Sequence, residues 1–495
     1  MTIHDASLDD RFDLGRERIF VTGAQAITRM LMMQHARDRM AGLNTAGFVS
    51  GYRGSPLGGL DQQFLRAARH FKEHNIVFQP GLNEELAATA CWGSQKAELD
   101  GHGKYDGVFA LWYGKGPGVD RSGDVFRHGN LNGSSRHGGV LALMGDDHTA
   151  ESSSNAHQTE FSFVDFMMPI LNPAGVQELI DYGLYGYSLS RFSGTWVAMK
   201  CVKDNVESTA SVAAGLKRLS IILPEFEMPP GGLNIRMSDL DFLGQETRLH
   251  EYKRAAAGAF IRANGLNRIV FSGGTNPKFG IVTVGKSYLD VRQALSDLGV
   301  GEAEATRMGI RLYKVAAPWP LDLDDIKPFS DGLEMIMVVE EKRSLIETQV
   351  REMLYGTANQ PTLVGKRDER GEWLFHVAGA LDPNEIAVAI GERIQRVIGP
   401  SEEIDAKVKR IRQFEAMLSD TTNIAARKPH FCSGCPHNTS TRVPEGSIAG
   451  AGIGCHFMAL WMDRNTVGFT QMGGEGAQWV GGAPFSNRPH IFQNL

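Results

Sequence analysis

The sequence predicts an α/β fold built from several doubly wound domains, and three observations support this prediction. Short buried strands alternate with helical segments through most of the 495 residues. Glycine- and proline-rich loops follow the strands, at the edge where open α/β sheets bind their ligands. The length allows about three domains, taking about 150 residues per domain. We therefore expect parallel sheets whose functional loops lie at the carboxyl ends of the strands.

Composition excludes several classes of protein. Hydrophobic residues at 42%, charged residues at 22% and a formal net charge of -6 describe an ordinary globular protein. There is no basic excess to bind a phosphate backbone, so nucleic acid is not an expected partner. No apolar run approaches the roughly 20 residues that span a bilayer, and residues 1–18 lack the apolar core of a signal peptide. We expect a cytoplasmic protein without a membrane segment.

The first predicted domain covers residues 18–230. Within it, residues 46–50 form a short buried strand, and the loop over 51–59 follows. Glycine and proline in this loop fix an abrupt exit from the strand and present Ser55 at its carboxyl end. The proline- and glycine-rich stretch 224–232 indicates the end of the domain.

Two acidic residues follow the next predicted strand, at 76–80. Glu84 and Glu85 precede a predicted helix of small residues over 86–97. Carboxylates in a first helical turn commonly do no more than interact with the helix dipole, and this explanation alone accounts for both residues. The residue pattern by itself does not choose between them.

A polar loop follows the predicted strand at 138–144 and contains Asp146, Asp147 and His148. Such a loop is typical of the wall of a binding site, because the sheet holds its side chains at one edge. Asp, Thr and Ser are also preferred helix caps, so both explanations stay open. A metal site formed by these three residues is the less favoured alternative, because no matching ligand accompanies them.

A second α/β domain is predicted over residues 250–400. Strands at 279–285 and 334–341 alternate with helices. In the helix that Ser287 opens, apolar residues recur at helical spacing, which indicates a core-facing stripe and not a cofactor site. Residues 401–422 are charged and helical in period, and we interpret them as a connector.

Three of the five cysteines lie in two short glycine-containing segments. Cys432 and Cys435 form a Cys-x-x-Cys pair, and Cys455 could close on the same centre. The third cysteine favours a site for a metal or an iron–sulfur cluster. The alternatives are a redox-active dithiol and cysteines without a ligand. No fourth cysteine follows, so the ligand set is incomplete. Cys91 and Cys201 lie among apolar residues and are expected to be structural.

Taken together, these motifs resemble those of the thiamine-diphosphate-dependent 2-oxoacid:ferredoxin oxidoreductases, and most closely the indolepyruvate ferredoxin oxidoreductases in their long, fused bacterial form. The resemblance extends from about Arg18 to Leu495, with the motifs in the order and spacing of the family. The motifs that carry it are Gly51-Tyr52-Arg53-Gly54-Ser55-Pro56, Asn83-Glu84-x-x-Ala87, Cys432-x-x-Cys435-Pro436-His437 and Gly454-Cys455.

The resemblance implies transketolase-like domains of the thiamine-diphosphate-binding type. Residues 18–230 correspond to the pyrimidine-binding domain, and residues 250–400 to the transketolase C-terminal-like domain. Residues 425–495 correspond to the start of the diphosphate-binding domain. Because this last segment is short for a domain core, we expect the chain to be the amino-terminal fragment of a longer protein.

The resemblance also implies roles for single residues. Glu84, and not Glu85, matches the glutamate that hydrogen-bonds the aminopyrimidine ring and activates the cofactor. Ser55 matches the Ser or Thr that contacts the oxoacid group of the substrate. The further cofactor-binding candidates are Gly54, Asp146 and Asp147.

The remaining metal ligands are implied in the same way. Cys432, Cys435 and Cys455 match three ligands of a [4Fe–4S] cluster. The Gly-Asp-Gly signature that holds Mg²⁺ in this family would lie beyond the end of the chain. We interpret residues 474–476, Gly-Glu-Gly, as a glycine turn, because Mg²⁺ coordination favours an Asp/Asn pair.

The implied activity is the oxidative decarboxylation of an aromatic 2-oxoacid resembling indolepyruvate. Coenzyme A takes the acyl group as co-substrate, and the cluster passes electrons to ferredoxin. We expect a homodimer, and we expect this chain alone to be inactive. Two alternatives within enzymes are another 2-oxoacid:ferredoxin oxidoreductase and a non-redox thiamine diphosphate decarboxylase. From another class, a non-catalytic redox scaffold subunit stays open.

Overall fold

The computed structural model describes residues 7–419 and 428–495. The described residues form two compact units, divided after Gln413. The predicted start of the third domain at residue 425, and the end of the predicted connector at 422, lie outside the described residues. Among the helices in these two ranges, none is both long and apolar enough to cross a bilayer.

The first half of the larger unit alternates strands and helices. Its strands are β1 (Arg18–Thr22), β2 (Thr45–Gly51), β3 (Ile76–Phe78), β4 (Gly107–Lys115), β5 (Val140–Gly145), β6 (Ile170–Leu171), β7 (Val197–Cys201) and β8 (Thr209–Ala213). Its α-helices are α1 (Gly23–Met40), α2 (Leu60–Arg66), α3 (Ala68–Glu73), α4 (Glu84–Ser94), α5 (Gly116–Arg121), α6 (Gly123–Asn132), α7 (Glu160–Asp165), α8 (Val176–Ser193) and α9 (Lys203–Val206).

Six of these strands form one parallel sheet in the order β3-β2-β4-β5-β7-β6. The remaining two, β1 and β8, pair antiparallel with each other, with Arg18 opposite Ala213. From β2 the chain passes to β3 on one side and then returns to β4 on the other. The strand order therefore reverses between β2 and β4, which is where the ligand crevice of an open α/β sheet forms.

The second half of the unit repeats this architecture. Its strands are β9 (Arg268–Phe271), β10 (Phe279–Val284), β11 (Ile310–Val315), β12 (Met335–Val339) and β13 (Thr362–Val364). Its α-helices, with the long helix that follows, are α10 (Phe242–Thr247), α11 (Arg254–Ala263), α12 (Gly285–Asp297), α13 (Glu302–Met308), α14 (Leu323–Ser330), α15 (Ile346–Leu354), α16 (Pro383–Val397) and α17 (Glu402–Ser419). The sheet order is β13-β12-β10-β11-β9, and only β9 runs antiparallel to its neighbour.

The smaller unit contains a short parallel sheet in the order β15-β14-β16. Its elements are α18 (His437–Ser440), β14 (Ala449–Ala451), β15 (Thr466–Phe469), α19 (Ala477–Gly482) and β16 (Phe492–Asn494). Residues 472–476 form turns in which Gly473 and Gly476 have φ of 86° and 81°. The Gly-Glu-Gly segment therefore lies in a turn, whereas the interpretation that it is not the Mg²⁺ signature stays a prediction.

The core of the first half lies between its sheet and the long helices α1 and α8. Met30 and Leu31 of α1 and Tyr187 and Leu189 of α8 are buried in it. Full burial of such a side chain contributes about 1.5–3 kcal/mol to the free energy of unfolding. This packing explains why α1 and α8 flank the sheet and leave the carboxyl ends of its strands to the loops.

The predicted fold class, α/β with doubly wound sheets, is confirmed. One predicted helix start is wrong: α4 begins at Glu84 and not at residue 86. Asn83 caps this helix, because its side-chain oxygen accepts a hydrogen bond from the backbone N–H of Leu86 at 2.8 Å. The structure also adds β6 and β8, which the sequence pattern did not reveal. The predicted domain boundaries stay predictions.

A buried ion pair locks α1 to α8, and its removal should destabilise the fold. The carboxylate of Asp38 accepts two hydrogen bonds from Arg191, at 2.6 and 2.7 Å, and others from Gln34 and Thr45. We expect Asp38→Ala to lower the free energy of unfolding by about 3–5 kcal/mol, because it leaves a guanidinium without its counter-charge. Urea unfolding followed by circular dichroism measures this loss. The control is Glu73→Ala, whose exposed pair with Arg69 should contribute about 0.2–1 kcal/mol, and equal losses would contradict the prediction.

Candidate functional site

The candidate site lies at the carboxyl ends of β2, β3 and β4. Backbone hydrogen bonds draw the loops after these strands together. The N–H of Tyr52 donates to the carbonyl of Tyr113 at 3.0 Å, and the N–H of Gly81 donates to the carbonyl of Gly51 at 3.0 Å. The loops that carry Ser55 and Glu84 therefore leave the sheet side by side, at the point where the strand order reverses.

Glu84 is the buried first residue of α4. Trp112 donates its indole N–H to the backbone carbonyl of Glu84 at 2.9 Å and fixes the start of the helix. A methyl group at Gly118 would lie 2.4 Å from Cγ of Glu84, so only glycine leaves room for this side chain. Among the residues that the structure describes, no group donates a hydrogen bond to its carboxylate, and the nearest cation, Arg121, is 3.9 Å away. Glu84 thus offers a buried acceptor to a ligand, whereas Glu85 is exposed.

Ser55 is half-buried in the loop after β2, and this loop packs on two neighbouring strand ends. A methyl group at Gly54 would lie 3.0 Å from Cβ of Lys115, which ends β4. A methyl group at Gly145, which ends β5, would lie 3.1 Å from Cδ of Pro56. Close contact on both sides therefore holds the Ser55 segment over the ends of β4 and β5.

Lys115 is a site residue that the sequence reasoning missed. Its ammonium group donates to the carbonyl of Ser152 at 2.6 Å, and its side chain runs along Gly54. Burial lowers the pKa of Lys115, while the charge of Asp147 opposes this effect. A signal was available, because Lys115 ends a buried strand immediately before the loop-like sequence Gly-Pro-Gly at 116–118.

His157 is a second missed residue. Its ring lies against α5, where a methyl group at Gly116 would be only 2.2 Å from Cγ of the imidazole. Nε2 of His157 is 3.4 Å from a carboxylate oxygen of Asp120. The hydrogen bond with Asp120 raises the pKa of His157 against the effect of burial. The crevice therefore combines the carboxylate of Glu84 with the ammonium group of Lys115 at the end of β4 and the imidazole of His157 on the loop after β5.

Asp146 and Asp147 use their carboxylates within the chain. Those of Asp146 accept hydrogen bonds from the N–H and hydroxyl of Thr159, each at 3.0 Å, and lie 3.5 Å from the ammonium of Lys200. Asp147 accepts from the N–H of Ser152 at 2.8 Å and from other groups of the same loop. Partial burial alone would raise the pKa of Asp147, but these hydrogen bonds lower it. These hydrogen bonds stay within the loop, and the helix that follows it, α7, begins without a side-chain cap, so neither carboxylate caps that helix. Cofactor binding by either residue stays a prediction.

His148 does not join Asp146 and Asp147 in a metal site within the described ranges, where no three His, Cys, Asp or Glu side chains converge on one point. It is buried, and its Nε2 has no hydrogen-bond partner among the described residues. Burial, and then the positive charges of Lys200 and Lys342, lower the pKa of His148 well below its usual value. Both effects favour the neutral imidazole.

The cysteine motif lies in the smaller unit. Cys432 and Cys435 flank a tight turn, in which the N–H of Cys435 donates to the carbonyl of Cys432 at 3.0 Å. The side-chain amide of Asn438 donates to both carbonyls, at 3.1 and 3.2 Å. Cys432 is exposed and Cys435 is half-buried. The chain thus presents these two positions on a braced turn.

A ring contact links this turn to the third cysteine. The rings of His437 and His456 meet edge to face with their centroids 5.9 Å apart, and Cys455 precedes His456 in the chain. Cys455 is exposed. The two cysteine segments are neighbours, but in the described part of the chain the three thiols do not gather around a common point. Their role as cluster ligands stays a prediction.

Comparison with known proteins identifies relatives along nearly the whole chain. The family profile described as "Indolepyruvate oxidoreductase domain" matches residues 269–418. The subunit IorA of indolepyruvate oxidoreductase from Pyrococcus horikoshii is 22% identical over 473 residues, which are 94% of this chain and 65% of the relative. The IorA subunit from Thermococcus kodakarensis is 24% identical, covering 93% of this chain and 65% of the relative. The chain therefore spans about two thirds of the length of these curated relatives.

A solved structure shares the fold. The 2-oxoglutarate:ferredoxin oxidoreductase from Magnetococcus marinus, solved with 2-oxoglutarate, coenzyme A and succinyl-CoA, superposes with a TM-score of 0.54 at 14% identity. The match covers 77% of this chain and 66% of that chain. Over the matched residues, the chain thus shares the α/β fold of that enzyme.

Residues 269–418 are similar to the indolepyruvate oxidoreductase domain, and the similarity of the chain to IorA subunits extends beyond this domain on both sides. The resemblance inferred from the sequence motifs is confirmed.

The five cysteines should differ in reactivity. Cys91 and Cys201 are fully buried, and burial raises the pKa of both thiols well above the usual value. The thiolate is the reactive form, so we expect a thiol reagent such as DTNB to modify Cys432, Cys435 and Cys455 in the reduced, folded chain. The remaining two should react only after unfolding in guanidinium chloride. Peptide mapping after labelling identifies the sites, and rapid labelling of Cys91 in the folded chain would contradict the assignment.

Proposed function

We propose that this chain contributes the substrate- and pyrimidine-binding part of a thiamine-diphosphate-dependent 2-oxoacid:ferredoxin oxidoreductase acting on an aromatic, indolepyruvate-like 2-oxoacid. The observation that carries the proposal is the buried carboxylate of Glu84, which lacks a hydrogen-bond donor among the described residues and lies at the switch point of the first sheet. The family match and the names of the IorA relatives support the aromatic substrate.

The surroundings of Glu84 fit the aminopyrimidine ring of thiamine diphosphate. A buried carboxylate whose oxygens accept nothing from the described protein groups can accept a hydrogen bond from a ring nitrogen. The cofactor, when bound, supplies a thiazolium carbon that acts as nucleophile and electron sink. Glu84 would hold the proton-sharing hydrogen bond to the ring, and the glycine at 118 keeps the space for this contact.

Ser55 and Lys115 would orient the substrate. The hydroxyl of Ser55 is available to hydrogen-bond the oxoacid group, because none of the described residues forms a hydrogen bond with it. The ammonium of Lys115 has a neutral carbonyl as its direct partner, so it can exchange that contact for the carboxylate of a 2-oxoacid. The loop that carries Ser55 packs on the side chain of Lys115 at Gly54. The pair would hold the 2-oxoacid next to Glu84.

The smaller unit would contribute to electron transfer. Thiolate donors are the ligands that iron–sulfur clusters use, and Cys432, Cys435 and Cys455 supply three of them. We propose a [4Fe–4S] cluster at these residues, without deriving a transfer step from their present geometry. Ferredoxin as acceptor, coenzyme A as acyl acceptor, Mg²⁺ as partner of the diphosphate and a homodimeric assembly complete the proposal.

Exchange of Glu84 tests the proposed role directly. In the complete enzyme, we expect Glu84→Gln to lower kcat for indolepyruvate oxidation by about 10²–10⁴-fold, because an amide cannot serve as the proton-sharing group. The measurement is ferredoxin reduction under anaerobic conditions with coenzyme A present.

The matched control is Glu85→Gln, the exposed neighbour in the same helical turn. This variant should keep the turnover of the unchanged enzyme. If Glu84→Gln also retains full turnover, the assignment of Glu84 is wrong. If the unchanged complete protein does not bind thiamine diphosphate in calorimetry, the alternative of a non-catalytic redox scaffold subunit replaces the enzyme.

Metal analysis tests the cluster. We expect the complete protein, purified anaerobically, to contain iron and acid-labile sulfide together with thiamine diphosphate, and we expect Cys432→Ser to lose most of the iron because one thiolate ligand is removed. The control Cys91→Ala should keep its iron, since Cys91 is buried against β4. Thiamine diphosphate without iron would instead favour a non-redox decarboxylase.

A further inference from the structure

The loop over residues 146–160 borders the candidate site. Its Ser152 carbonyl accepts the hydrogen bond of Lys115, and its His157 packs on Gly116 and pairs with Asp120. Whatever holds this loop therefore also sets where the ammonium of Lys115 and the imidazole of His157 lie.

The second half of the unit reaches this loop with the segment that follows β12. Lys342 is buried, and its ammonium group donates a hydrogen bond to the backbone carbonyl of His148. The backbone of Lys342 is left-handed, with φ of 59°. A lysine in this conformation is strained, and such strain persists only where surrounding contacts hold it. The hydrogen bond to the carbonyl of His148 is one such contact.

The next residue, Arg343, makes a three-point contact with the other end of the loop. Its backbone N–H donates to the side-chain oxygen of Gln158 at 3.0 Å, and its carbonyl accepts from the side-chain nitrogen of Gln158 at 3.2 Å. Its guanidinium donates to the same side-chain oxygen at 3.3 Å and lies 4.1 Å from the ring centroid of Phe161. A cation above an aromatic face adds attraction to the hydrogen bonds.

We propose that Lys342 and Arg343 are positioning residues for the active-site loop 146–160, so that the second α/β half sets the geometry of substrate binding. This inference rests on the proposed function for its catalytic consequence, but not for the contact itself. The clamp holds the loop near both ends, at His148 and Gln158, and leaves the segment between them to line the crevice. Loss of the clamp should loosen Ser152 and His157 while the sheet stays intact.

Hydrogen exchange on this chain tests the clamp without any activity. We expect Arg343→Ala to speed amide exchange over residues 147–158 by about tenfold, through loss of one hydrogen bond and the cation–aromatic contact. The matched control is Arg367→Ala, another exposed arginine of the same half, which lies 3.7 Å from the ring of Trp373 and makes no contact with the loop. It should leave exchange at 147–158 unchanged.

A second variant approaches the contact from the loop side. Gln158→Ala removes both backbone contacts to Arg343 and should give the same local increase in exchange. In the complete enzyme, both variants should raise KM for the 2-oxoacid about tenfold with a smaller change in kcat, and Arg343→Lys, which keeps a cation near Phe161, should recover part of that loss. Unchanged exchange in both variants would overturn the clamp, and faster exchange with unchanged KM would overturn its positioning role. Failure of the proposed function is a separate result, because it appears in Glu84→Gln and leaves the exchange data intact.

Discussion

The loop beside the candidate site depends on the ion pairs of one fully buried lysine. Lys200, near the end of β7, is 2% exposed and forms ion pairs with Asp146, at 3.5 Å, and with Glu160. Burial alone would lower the pKa of Lys200, but these two carboxylates raise it above its usual value, so the group stays charged. A buried ammonium is tolerated only with close counter-charges. The charged form of Lys200 is therefore stabilised only while the carboxylates of Asp146 and Glu160 keep these positions.

Asp146 and Glu160 are also the first and last residues of the loop beside the crevice. The ammonium group of Lys200 binds both residues and therefore holds the two ends of the loop close together. Lys342 and Arg343 add contacts just inside these ends, at His148 and Gln158. A catalytic group gains from such support, since small displacements of a positioning residue cost much of the rate. The loop beside the candidate site is therefore held by the second α/β half as well as by the first.

Local sequence patterns predicted the parts of the site that lie within one strand–loop–helix unit. The strand–loop–helix order and the loop carrying Ser55 follow from periodicity and from glycine or proline punctuation, whereas the start of α4 was predicted two residues too late. Choosing Glu84 over Glu85 required the resemblance, because both occupy the first turn of α4. In the structure, Glu84 is buried and Glu85 is exposed. Lys115 was not predicted as a site residue, although it directly precedes a Gly-Pro-Gly sequence.

Other features could not be found in this way. Lys342 and His148 are separated by 194 positions in the chain, and no periodicity within either segment reports their contact. The sequence predicts only that Lys200 lies in an ordinary buried strand. Its ion pair with Asp146, which follows β5, can be predicted only when β5 and β7 are known to be neighbours. Strand order is a tertiary property, set by how the helices cover the sheet. The pairing of β1 with β8 was missed for the same reason.

The placement of the five cysteines completes the physical argument. Cys91 and Cys201 are buried, and the raised pKa of each thiol keeps both protonated and unreactive. Cys432 and Cys455 are exposed on segments braced by the amide of Asn438 and by the contact of His437 with His456. The thiolate is the form that reacts and binds metals, so a buried thiol that stays protonated is inert. The chain therefore separates chemically inert cysteines, which pack the first sheet, from accessible ones in a unit of their own.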